Sequence, residues 1–379
     1  MNAAQMNLSV TWASRAPAPV AETEPDPVSC HCPGPCPCSP TPWTDFAVAL
    51  YNPPATMVQH LPSAVREDAP QPSTTTDNLY GRAILRCLIY YDLFRFPLRI
   101  EELHRFSEVS WPDQDALEAE LDSLVKQGLI VRDGPWVHLG DPALVEERIE
   151  AEARAKRVMP RARRRSRLIA RFPFVRGVAL SGTISKGVFS RGDDVDFFVI
   201  TAPGRLWICR VLLMGFKKVF LLNSRRTFCI NYLVTEDHLE VPDHNLFTAT
   251  EIAWLMPTIN PALFDRFNEF NAWVEDFLPQ WKATNSRQAG PWKPFGPARL
   301  VEAILSGDRG ETLDDRCHGL VKNHNLRRYG HMESSEFDLA LRTVKGVSKH
   351  HPQSLQARIL EQFDRRIQEF EERHAVVLR

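Results

Sequence analysis

The sequence predicts an α/β (α+β) protein, a core sheet flanked by helices, with a small helical unit before the sheet and a helical region after it. Three observations carry this. In the middle of the chain, "GVALSGT" leads an apolar strand into a glycine turn, and "DVDFFVI" follows as an alternating strand. Ahead of it stand three amphipathic segments and a hairpin signal. Behind it, aromatic-rich helical periods run to a last amphipathic stretch, "SLQARILEQFDRRIQEFEERH".

At 379 residues the chain has room for more than one packed core. Its hydrophobic fraction of 44% and charged fraction of 25% are those of a globular protein. The formal net charge of -1 excludes polyanion binding by bulk electrostatics; a nucleic-acid surface would have to be a local patch. The most apolar stretch, "RLWICRVLLMGFKKVFLL", is interrupted by Arg210, Lys217 and Lys218, which argues against a membrane span. With no leader pattern at the start, the expectation is a cytoplasmic protein.

Residues 1–77 read as a tail rich in Pro, Ser, Thr and acids, without apolar period. Its "CHCPGPCPC" places Cys30, Cys32, Cys36 and Cys38 around His31, a zinc-binding cluster or a Pro-rich tract that happens to carry thiols. The other four cysteines are scattered, as reduced thiols are.

Order is expected from Asn78. Ile84, Leu85, Leu88 and Ile89 share one face of a first helix, which Pro97 stops, and "RIEELHRFSE" makes a second. Ser110 is placed to cap a third, with Pro112 in its first turn and Leu117, Leu121 and Leu124 in its stripe. Asp133-Gly134 is the turn of the hairpin that follows. Three helices and a hairpin make a winged helix. Its third helix carries Asp113, Asp115, Glu118, Glu120 and Asp122, which phosphates would repel, so duplex DNA is not an expected partner. A charged helix then starts at Pro142, is expected to break at Pro160, and leads into a basic run of Arg161, Arg163, Arg164, Arg165 and Arg167. That run is a solvated face or a wall near a polyanionic substrate.

The stretch that bears chemistry is "LSGTISKGVFSRGDDVDFFVI". Gly182 lets backbone amides approach a phosphate, and Thr183 adds a hydroxyl donor. Asp194 and Asp196 point to one face of the next strand, about 7 Å apart, a separation suited to hard divalent cations. This pattern resembles the nucleotidyltransferase domain of the DNA polymerase beta superfamily. Gly182-Thr183 stands for its Gly-Ser, Lys186-Gly187 for its Arg-Gly, and Asp193-Asp194-Val195-Asp196 for its Ser-Asp-x-Asp. From Asn78 onward the chain looks like a group of bacterial nucleotidyltransferase-domain proteins of unestablished substrate.

The resemblance implies catalytic, magnesium-holding carboxylates at Asp194 and Asp196, an NTP held by Gly182, Thr183 and Lys186, and a third carboxylate from a neighbouring strand. In "FCINYLV" that position is Asn231, which can offer magnesium an amide oxygen but no charge. Glu236, Asp237 and Glu240 lie just beyond and are either substitutes for it or a solvated turn. The expected reaction moves a nucleoside monophosphate from an NTP to an acceptor hydroxyl on a small molecule, a protein or an RNA end. The rivals are a non-catalytic nucleotide-binding or regulatory module and a winged-helix DNA-binding regulator. A basic cluster of Lys322, His324, Arg327, Arg328 and His331 is an acceptor contact or a solvated surface. The expected organisation is a tail over 1–77, a winged-helix-like domain over 78–141, a basic connecting helix over 142–170, a nucleotidyltransferase core over 171–245 and a helical C-terminal domain over 246–379.

Overall fold

The computed structural model describes residues 78–223, 226–281, 289–293, 295–333, 337, 340–349 and 355–378. The tail over 1–77 and its cysteine cluster lie outside the described residues. Helix α1 (Leu79–Asp92) begins where Asn78 accepts the Tyr80 amide, and it buries Ile84, Leu85, Leu88 and Ile89. Strand β1 (Leu98–Arg99), helix α2 (Ile100–Phe106) and helix α3 (Gln114–Lys126) follow. The cap of α3 is Asp113 rather than Ser110: its carboxylate accepts the Ala116 amide at 2.8 Å. An ionised acceptor is favoured there by the helix dipole as well as by the hydrogen bond. Strands β2 (Val131–Asp133) and β3 (Trp136–His138) form the hairpin, and β1 pairs with the other edge of β3.

Helix α4 (Ala143–Ile169) runs unbroken through Pro160, contrary to the sequence expectation. Proline removes one intrahelical bond and crowds one carbonyl, a local cost. On both sides of it Ala155, Ala162 and Ile169 are buried in a single apolar cluster, which holds the two halves in line.

The second half of the chain builds a six-stranded sheet. Its elements are β4 (Val175–Ser181), α5 (Gly182–Ser185), β5 (Asp196–Thr201), α6 (Leu206–Phe220), β6 (Cys229–Thr235), α7 (Leu246–Ala253), β7 (Met256–Ile259) and α8 (Pro261–Phe270). They continue with α9 (Gly296–Ile304), α10 (Gly307–Tyr329), β8 (Thr343–Val344), β9 (Val347–Lys349) and α11 (Leu355–His374). The strand order is β7-β4-β5-β6-β9-β8, with β5 and β6 parallel and β4, β7 and β9 antiparallel to their neighbours. The described residues of 246–379, a region expected to be helical, therefore supply three strands. These are two to four residues long, too short to show alternation. Pro257 is tolerated because β7 is an edge strand.

The alternation of β5 sorts its side chains between two layers. Phe197 and Val199 pack with Ala162 and Ile169 of α4 and Trp207 and Leu213 of α6. Phe198 and Ile200 pack with Phe264 and Phe267 of α8, in a cluster that also holds Tyr90 of α1 and Phe363 of α11. Asp196 shares the parity of Phe198 and opens on this second face. Among the described residues no helix is long and apolar enough to cross a membrane.

Candidate functional site

Ser181, the last residue of β4, pairs with Asp196, the first of β5. The next residue, Gly182, turns the chain with φ +67°. A β-carbon there would stand 2.6 Å from Oδ2 of Asp196. Glycine is thus required twice, by a backbone conformation that L side chains rarely adopt and by the carboxylate pressed against it. Asp194 lies two residues ahead of Asp196, just before the strand, and both acids are half-buried.

Beside them, β6 places Cys229 in register with Asp196. The pairing then slips: Phe197 faces Ile230 and Phe198 faces Tyr232, so Asn231 is the extra residue of an irregularity. Its Oδ1 accepts the Cys229 thiol at 3.0 Å. Burial raises the proton affinity of Asp196 to a pKa of about 7; the charges of Asp194 and Glu251 push the same way, and hydrogen bonds from Cys229 and Asn231 oppose them. Burial also pushes the Cys229 thiol well above its ordinary range, so it acts as a donor and not as a thiolate.

The loop between turn and strand is fixed by Asp193, which is buried and accepts the Ser190 amide at 2.8 Å. Thr183 is buried and its hydroxyl has no hydrogen-bond partner among the described residues. Lys186 points to α7, where its Nζ lies 2.6 Å from Oε1 of Glu251. Glu251 escaped the sequence reading. The available signal was that it is the lone charged side chain of α7, "LFTATEIA".

The acids named as substitutes for a third carboxylate are elsewhere. The Glu236 amide bonds to the Thr201 carbonyl, at the far end of β5, so five strand residues, roughly 16 Å, separate it from Asp196. Glu236 faces Arg176 at 4.0 Å, Asp237 faces His238 at 3.1 Å and Glu240 faces His244 at 3.4 Å. Within the basic run of α4, Ala162 packs in the cluster of Phe197, not in that of Phe198, whose parity Asp196 shares. Lys322, His324, Arg327 and Arg328 are exposed on α10, and His331 is exposed just after it.

A cavity of about 150 Å³ adjoins the site. Arg95, Glu147, Thr183, Lys186, Asp193 and Glu251 are among the residues that line it. Among the described residues no group of three or more His, Cys, Asp or Glu side chains is disposed to hold a metal ion. Two carboxylates and an amide oxygen are nonetheless a donor set that suits magnesium, which keeps several waters and takes few protein ligands. No protein-family model, curated protein or solved structure matches this chain.

Proposed function

We propose that this chain is a metal-dependent nucleotidyltransferase, with a nucleotidyltransferase core and a winged-helix-like N-terminal unit, acting in the cytoplasm. One observation carries the reading: a positive-φ glycine lies against the second acid of an Asp-x-Asp pair, at the junction of two adjacent strands. In this reading the backbone of the Gly182-Thr183 turn, set against Asp196, meets the phosphate oxygens.

Asp194 and Asp196 would hold magnesium, with Asn231 contributing its amide oxygen once the Cys229 thiol is displaced. Bound there, the metal neutralises triphosphate oxygens and favours ionisation of the attacking hydroxyl. The Gly182-Thr183 turn positions the triphosphate, and Lys186 supports it if it leaves Glu251. In the reaction, an acceptor oxygen bonds to the α-phosphorus of the NTP, the α–β bridging bond breaks, and pyrophosphate leaves. Pyrophosphate release from each of the four NTPs, with Asp194→Ala and Asp196→Ala as controls, tests this. A fall of several orders of magnitude in folded variants supports it; wild-type rates in either variant overturn it.

A second reading, a non-catalytic nucleotide-binding module, is favoured by one observation: Asn231 stands where a third carboxylate is expected and is engaged by a thiol. Magnesium-dependent NTP binding without turnover would select it. Duplex DNA is not a proposed partner, since Glu118 and Asp122 of α3 surround Arg132 of the hairpin and leave an acidic face.

A further inference from the structure

The cavity beside the glycine turn is walled by aromatic and small side chains. Tyr90, Tyr91, Phe94, Phe96, Ala151 and Val188 are among its lining residues. A dry cavity of about this volume accepts a benzene-sized ring.

Its charges are already matched. Arg95 pairs with Glu147 at 2.8 Å, Lys186 with Glu251 at 2.6 Å, and Arg148 with Glu102 at 2.7 Å. Asp193 is occupied by the Ser190 amide. A charged guest would lose its hydration and find no free counter-charge, so a neutral one is preferred. The tyrosine hydroxyls are also engaged: Tyr90 with Thr250, and Tyr91 accepting the Trp254 indole at 2.9 Å. Hydrogen-bonding capacity remains at two lining residues: the buried Thr183 hydroxyl has no partner among the described residues, and Glu251 is an acceptor.

We propose that this cavity binds a neutral small molecule made of one aromatic ring and a short hydroxyl-bearing arm, and that, given the nucleotidyltransferase reading, this molecule is the acceptor. Its ring lies between Phe94 and Ala151, and its hydroxyl points to Thr183 and the glycine turn. The hydroxyl oxygen bonds to the α-phosphorus, the α–β bridging oxygen departs with its electron pair in pyrophosphate, and the hydroxyl proton passes to the Glu251 carboxylate.

The test uses the full chain with 2-phenylethanol as probe and phenylacetate as its charged counterpart, read by calorimetry and saturation-transfer NMR. Expected is saturable binding of 2-phenylethanol, with phenylacetate weaker by about tenfold or more. Ala151→Phe fills the cavity and removes probe binding, while NTP binding in magnesium stays within about twofold of wild type. Ala151→Leu serves if the phenylalanine variant does not fold. Absence of 2-phenylethanol binding, equal binding of phenylacetate, or unchanged binding in a folded cavity-filled variant overturns the site. If 2-phenylethanol binds but no NTP does, the site stands and the acceptor role falls with the transferase reading. If NTP binds and 2-phenylethanol does not, only the cavity proposal falls.

Discussion

Lys186 and Glu251 are 65 residues apart in the chain and 2.6 Å apart in the fold. Their side chains are 11% and 35% exposed, so the lysine is the more costly one to leave alone. Lys186→Met strands the Glu251 charge near Asp196. Stability should fall by about 1–2 kcal/mol in urea unfolding. Lys186→Met with Glu251→Gln should recover most of that loss, because the stranded carboxylate is removed with its partner.

Gly182→Ala combines an unfavourable φ with a β-carbon 2.6 Å from a carboxylate oxygen. A destabilisation of about 1–3 kcal/mol is expected. Magnesium-dependent NTP binding should weaken as Asp196 is pushed aside. Gly187→Ala is the control: it shares the positive φ and meets no atom within 4 Å, so it should reproduce the backbone cost without the loss of binding.

Unfolded, an aspartate ionises near 3.8, whereas in the fold Asp196 keeps its proton up to about 7. Between those values the folded state binds more protons than the unfolded one. Stability from this group is therefore highest at acid pH, falls as pH rises through that window, and levels off above it. Asp196→Asn should flatten the slope in urea unfolding series from pH 5 to 8. Magnesium should restore wild-type stability at pH 8 and do little for the variant.

Asn231→Asp adds a third carboxylate beside Asp196. The metal-free protein should lose stability at pH 8 through like-charge repulsion, and magnesium should raise its melting temperature more than that of wild type. Transferase activity should rise with it. A variant indifferent to magnesium would show that Asn231 does not face the cation.

Pro160 is exposed and sits inside a continuous helix. Pro160→Ala supplies the missing amide, and a gain of about 1–3 kcal/mol is expected. A loss would mean that the proline sets a bend on which packing of α4 depends.

These residues also show what the sequence could tell. The stripes of α1 and α11, the Asp133-Gly134 turn and the alternation of β5 are local patterns, and each appears in the fold. The Gly182 and Asp194–Asp196 spacing was legible because β4 and β5 are neighbours in chain and in sheet. Glu251 was not, since nothing local brings α7 to Lys186. Which of the two readings held for Glu236 is a matter of direction: β6 is parallel to β5, so residues after the strand emerge at the end remote from Asp196. Pro160 misled because a local penalty was set against burial that only the tertiary structure reveals.

Helix α11 reaches back to α1. Phe363 meets the Tyr90 ring at 5.5 Å, and the Arg86 guanidinium donates to the Leu378 carbonyl, 292 positions downstream. At ribosomal rates of about 5–20 residues per second, roughly 15–60 s pass between synthesis of α1 and arrival of its cover. During that interval the apolar face of α1 that α11 will close is open to chaperones and to neighbouring nascent chains. Yield in a cell should then depend on translation speed and on trigger-type holdases more than on equilibrium stability. The N-terminal helices should also be the first region cut by proteases in any chain released before α11 is made.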